Sequence, residues 1–178
     1  MVSGLCCAQY SNHQLYEAYT TRDMSVWENY IDSADWDRLD TEQRKQLLNY
    51  EYGFTAYMLG VDVEKSKQLI QRLETHIEQM KSALPKERYY VYLASVYTYR
   101  LALNKNQLMK YAKIIYNHVE RAMELNPNDP FVLSMQGNVE FYSPFGSKKT
   151  ALGYFQKADS LYAIAGADYE RWNRRAVQ

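Results

Sequence analysis

The sequence predicts an all-α chain: an antiparallel array of about four helix pairs, solenoid or bundle, finished by a C-terminal capping helix. Three observations predict it. Apolar residues recur at helical spacing in nearly every segment after residue 10, as in Tyr90, Leu93, Ala94, Tyr97 and Leu101; gaps of three and four residues put such side chains on one face. Capping residues and breakers punctuate these segments at lengths that suit helices. Small residues also stand at comparable places in three successive helices, at Gly53, Ala94 and Gly137, 41 and 43 residues apart.

Residues Tyr10 to Arg22 carry Leu15, Ala18 and Tyr19, and Asp23 is placed to cap a second helix bearing Trp27, Ile31 and Ala34. Asp40 with Gln43 forms a capping-box pattern before a long helix with Leu47, Leu48, Tyr52, Ala56 and Leu59. Gly60 ends that helix, and Asp62 caps the next, whose stripe is Val63, Leu69, Ile70, Leu73, Ile77 and Met80, stopping before Pro85. The stretch from Glu87 to Leu103 holds Tyr-Tyr-Val-Tyr and Val-Tyr-Thr-Tyr, which locally favour strand. The stripe it carries is too long for an ordinary strand, so helix wins. Asn104 with Gln107 marks another start, ahead of Ala112, Ile115, Tyr116, Val119 and Ala122. Asp129 as N-cap and Pro130 in the first helical position open a helix reaching Tyr142. Beyond Ser143-Pro-Phe-Gly-Ser147, a long helix alternates small and large residues at Ala151, Phe155 and Ala158, the pattern of a close helix crossing. Ala167 to Gln178 reads as a short helix over the last pair, with Arg171, Arg174 and Arg175 suited to its C-terminal end.

Composition narrows the function. Residues 10–178 suit a single helical domain with a sizeable core. Twenty-one basic residues balance 21 acidic ones, so no overall field attracts nucleic acid or an anionic membrane, and no stretch is a transmembrane span. Eighteen tyrosines fit wet-edged helix seams or binding grooves, because each ring carries a hydroxyl that needs a partner. Cys6 and Cys7 are adjacent, too close in sequence for an ordinary disulfide. Residues 1–9 read as a disordered tail or the remnant of an export signal, with cleavage near Ala8. His13, His76 and His118 lie in no metal-ligand spacing; His76 and Glu78, two apart, face different ways. The aspartates Asp32, Asp35, Asp37 and Asp40 read as a solvated connection. No catalytic constellation, metal site or cofactor is expected, and the chain is read as a non-enzyme.

The run from Arg121 to Pro130, followed by Ala151, Phe155 and Ala158, resembles the tetratricopeptide repeat, although the period here exceeds its roughly 34 residues. Pro144, Gly146, Ser147, Lys148, Ala151 and Phe155 are also similar to a variant found in exported tetratricopeptide-like proteins of the Bacteroidota. The same variant occurs in the helical partner subunit of some periplasmic TRAP transporter systems. The resemblance implies a periplasmic or exported location, with the cytoplasm as alternative. It implies a scaffold for a protein or peptide partner, or else an accessory subunit for small-molecule uptake. In such arrays the first helix of each pair lines a concave groove. Aligning Gly53, Ala94 and Gly137 places Tyr50, Phe54 and Tyr57, then Val91, Ser95 and Thr98, then Ser134, Asn138 and Phe141 on that side. Arg88 and Tyr99 flank the middle set. The oligomeric state stays open.

Overall fold

The structure, a computed structural model, describes residues 10–178. The expected export tail and both cysteines lie outside the described residues. Within them the chain forms nine α-helices and no strand: α1 (Asn12–Thr21), α2 (Ser25–Ser33), α3 (Thr41–Met58), α4 (Val63–Gln79), α5 (Lys86–Leu103), α6 (Leu108–Leu125), α7 (Pro130–Tyr142), α8 (Lys148–Ala165) and α9 (Arg171–Ala176). Consecutive helices pack in pairs, and α5 and α6 share the most extensive contact. The tyrosine-rich stretch is therefore one helix, where period overrides local strand preference.

Most starts follow the capping chemistry. Ser11 and Asp40 each close a reciprocal capping box with Gln14 and Gln43. Asp62, Asp129 and Ser147 accept from the free N–H groups of α4, α7 and α8. Two expected caps differ. The Asp23 carboxylate takes the Ser25 hydroxyl at 2.5 Å, leaving α2 without a side-chain cap. Asn104 gives way to a 3-10 turn, Lys105–Gln107, so α6 starts only at Leu108.

Side-chain bridges set the directions of the helices. On α3 and α4, Glu51 meets Arg72 and His76, while Phe54 lies under Lys65; rising numbers on one helix meet falling numbers on the other. On α4 and α5, Glu74 pairs with Arg100 and Glu78 with Tyr89, again antiparallel. Arg88 near the start of α5 bonds Asp129, the N-cap of α7, at 2.8 Å. Helices α3, α5 and α7 thus run the same way, and the turns that follow them share one end of the array.

The core has two parts. One centres on Leu15, Trp27, Tyr50 and Phe54; the other runs from Leu73 and Ile77 through Val91, Ala94 and Val96 to Phe131 and Leu133. Trp36 and Tyr52 border both. Ala151 and Ala158 are fully buried, and Phe155 lies against Gly137, the close α7–α8 crossing that the small-large-small spacing predicts.

The C-terminal segment does more than cap the last pair. A 3-10 turn, Asp168–Glu170, and α9 touch α8 but also reach back to α1 and α3. Trp172 packs edge-on to Trp27, with ring centroids 5.2 Å apart. A Cβ on Gly53 would stand 2.6 Å from the Trp172 ring, a contact that only glycine permits. Asn49 Nδ2 donates to Asn173 Oδ1 at 3.0 Å and to the Tyr169 carbonyl at 3.1 Å, so the chain's end is bonded across more than a hundred residues of sequence.

Candidate functional site

Along the sequence-predicted groove, register alone separates buried from open. The positions three before the small residues, Tyr50, Val91 and Ser134, are all buried. The positions one after comprise buried Phe54, buried Ser95 and half-buried Asn138. The positions four after, Tyr57, Thr98 and Phe141, are all exposed. Of the flanking pair, Tyr99 is buried and donates its hydroxyl to the Tyr52 carbonyl at 3.1 Å.

Arg88 is tied down. Its Nε donates to Asp129 at 2.8 Å and its Nη1 to Glu170 at 2.6 Å, both carboxylates being nearly inaccessible. Burial works against its charge, but Glu170 and Asp129 outweigh that and hold it protonated far above any accessible pH. Glu170 also accepts the Ala167 N–H at 2.9 Å. The space where a partner is expected is thereby occupied by the protein's own C-terminal segment. Around it, burial pushes the hydroxyls of Tyr92, Tyr99 and Tyr162 up, and that of Tyr52 to about 12, so these rings meet as neutral groups.

A second buried cluster went unread in the sequence. Both Glu51 carboxylate oxygens are used, one by Arg72 Nε at 3.2 Å and one by His76 Nδ1 at 2.8 Å. The His76 ring stacks on Trp36 with centroids 3.7 Å apart. Arg72 Nη1 also reaches Asp32 at 3.2 Å, while its Nη2 is buried without a hydrogen-bond partner, and the cluster joins α3 to α4. The signal was the i, i+4 pair Arg72 and His76 facing a lone glutamate on an otherwise apolar stripe.

The accessible chemistry lies at the shared end of the array. Tyr57, Val61 and Val63 surround the α3–α4 turn, Leu108 and Met109 the α5–α6 turn, and Phe141, Tyr142 and Phe145 the α7–α8 turn. Met109, Tyr142 and Phe145 are 84, 79 and 97 % exposed, far beyond what large apolar groups need to show. Leu152 adds an exposed side chain on the second turn of α8. Tyr116 on α6 donates to Ser143 Oγ at 2.6 Å, fixing the α7–α8 turn against α6. That same oxygen accepts the Phe145 N–H at 3.2 Å, and Glu140 accepts the Ser147 N–H at 3.0 Å. Gly146 rests on the Glu140 carbonyl, where a Cβ would come within 2.0 Å, so the turn's path depends on it. Phe141 and Tyr142 pack edge to face, centroids 5.0 Å apart, and Lys148 Nζ sits 5.3 Å from the Phe141 ring centre. Lys105 and Lys110 at the α5–α6 turn, and Lys148 and Lys149 at the α7–α8 turn, form no ion pair among the described residues.

The described residues are thus all-helical, with the C-terminal segment packed on α3 and α5 and exposed aromatic and lysine side chains at the turn end. No helix of the described residues is long and apolar enough to cross a membrane. No family model matches the chain, and no curated protein matches it. Among solved structures it is similar to the HusA haemophore from Porphyromonas gingivalis, with a TM-score of 0.54 and 18 % sequence identity, covering 100 % of this chain and 92 % of that one. The likeness is one of fold.

Proposed function

We propose that this chain is an exported, non-enzymatic binding protein that holds a planar, apolar, anionic small molecule of porphyrin type at the α7–α8 turn. One observation carries the reading: three aromatic side chains, Phe141, Tyr142 and Phe145, stand in solvent beside Lys148 and Lys149 with no carboxylate paired to either lysine. A porphyrin offers a flat apolar face and peripheral carboxylates, and exposed rings flanked by ammonium groups complement both. The fold likeness to a haemophore supports haem as the first ligand to try, and the resemblance to exported helical proteins supports the location. Titration with haemin and with metal-free protoporphyrin, followed by absorbance, tests it. Both bind, because the face and the carboxylates are recognised, and the double variant Phe141→Ser, Phe145→Ser loses at least about tenfold in affinity, roughly 1.4 kcal/mol. Absence of binding, or equal binding by the double variant, defeats the proposal.

A protein or peptide partner is the second reading. It is favoured by the spread of exposed apolar groups across all three turns, from Tyr57 and Val63 to Leu152, which exceeds what one small ligand covers. In that reading Tyr57, Thr98 and Phe141 are the part of the expected groove that a partner meets, with Asn138 half-buried behind them. Tyr57→Ala weakens such a complex and leaves porphyrin binding unchanged.

A further inference from the structure

Away from the turn end, α1 and α9 enclose a surface depression of about 220 Å³ lined by Tyr16, Arg171, Arg174, Arg175 and Gln178. Three guanidinium groups thus converge on one concavity in a chain whose charges balance overall. Arg174 is neutralised: its Nε donates to Asp159 at 2.8 Å, and Gln178 Nε2 donates to the same carboxylate oxygen at 2.9 Å. Arg174 and Gln178 together hold the Asp159 carboxyl below its usual range. Arg171 and Arg175 have no such partner among the described residues; Asp168, three residues before Arg171, forms no ion pair either. The two stand four apart on one helix, where like charges repel, and Arg171 occupies the first position of α9, the end at which a helix disfavours a cation. Arg175 sits in the last turn of α9, where a helix favours a cation, but Arg171 gains nothing from its place.

Both groups are nevertheless oriented. The Arg171 guanidinium lies over the Tyr16 ring, 4.4 Å from its centre, and Arg175 Nη1 donates to Gln178 Oε1 at 3.2 Å. Stacking fixes the plane of a guanidinium while leaving its edge free to donate two parallel hydrogen bonds, the geometry that carboxylates and phosphates accept. We infer that the α1–α9 depression, between Tyr16, Arg171 and Arg175, is a binding site for a single oxyanion group, a phosphate or a carboxylate. It is independent of the porphyrin reading, since it shares no residue with the α7–α8 turn.

Thermal melts in inorganic phosphate, in acetate and in chloride, at matched ionic strength and pH, test this. The parent protein melts about 2–4 °C higher in phosphate than in chloride. A matching rise in acetate identifies a general carboxylate and phosphate site, and a rise in phosphate alone identifies a phosphate site. In Arg175→Gln the rise disappears, while its melting temperature in chloride stays close to the parent's, because the removed repulsion offsets the lost cation at the helix C-terminus. Arg171→Gln also loses the response but melts lower throughout, through its lost contact with Tyr16. Equal melting of the parent in all three salts overturns the inference. So does an undiminished rise in Arg175→Gln.

Discussion

Helices α3, α5 and α7 present two unlike regions within the same three elements. In the middle of α3 and at the start of α5 the inward side is covered by residues 167–176, with Trp172 on Gly53, Asn173 on Asn49 and Glu170 on Arg88. At their C-terminal ends the same helices lose that cover, and Tyr57, Thr98 and Phe141 emerge. The comparison teaches that helical register decides which side chains share a face. Whether that face is open depends on what a distant segment of chain lays over it.

Variants of the covered region therefore change stability, and variants of the open end change binding with stability intact. The largest effect belongs to Arg88. Arg88→Met strands Asp129 and Glu170 as buried, unmatched carboxylates and costs about 3–5 kcal/mol in urea unfolding. Gly53→Val forces a side chain into the Trp172 and Trp27 rings and costs about 2–3 kcal/mol by the same measurement. Ala158→Leu overfills the α7–α8 crossing and costs about 1–3 kcal/mol; an unchanged melting temperature there rejects the crossing. At the open end, Tyr142→Ser and Phe145→Ser shift stability by no more than about 0.5 kcal/mol while lowering haemin affinity. A loss of several degrees in either variant would assign these rings to packing instead.

The smallest effect is a pH dependence. His118 is half-buried between Tyr90 and Tyr97, and burial lowers its pKa below the ordinary 6.5. Between 6.5 and the lower folded value the unfolded chain holds more protons than the folded one. Its contribution is therefore fully present above about pH 6.5 and declines as pH falls through that window. His118→Gln flattens this part of the stability profile, measured by melts between pH 5 and 8.

Nearly all of the architecture was legible in the sequence, because caps and stripes are local. Asp40, Asp62, Asp129 and Ser147 announce their helices, and Ala151 with Ala158 announce a crossing. In the alignment of Gly53, Ala94 and Gly137, the positions three before are uniformly buried and those four after uniformly exposed. The return of the C-terminal segment onto α3 and α5 was not legible. Trp172 and Glu170 read as parts of a short terminal helix, and nothing local to them names Gly53 or Arg88 as partners across so much chain. The open end was legible only in part: Phe141 follows from register, but Tyr142 and Phe145 lie around an irregular turn whose path depends on Gly146 and Ser143.

The most direct test is amide hydrogen exchange of the full chain with and without haemin. Binding at the turn end slows exchange in residues 108–116 and 139–152 and leaves 88–95 and 167–176 unchanged. Slowed exchange along 88–95, or faster exchange in 167–176 as the C-terminal segment gives way, would place the ligand beside the C-terminal segment and contradict the account.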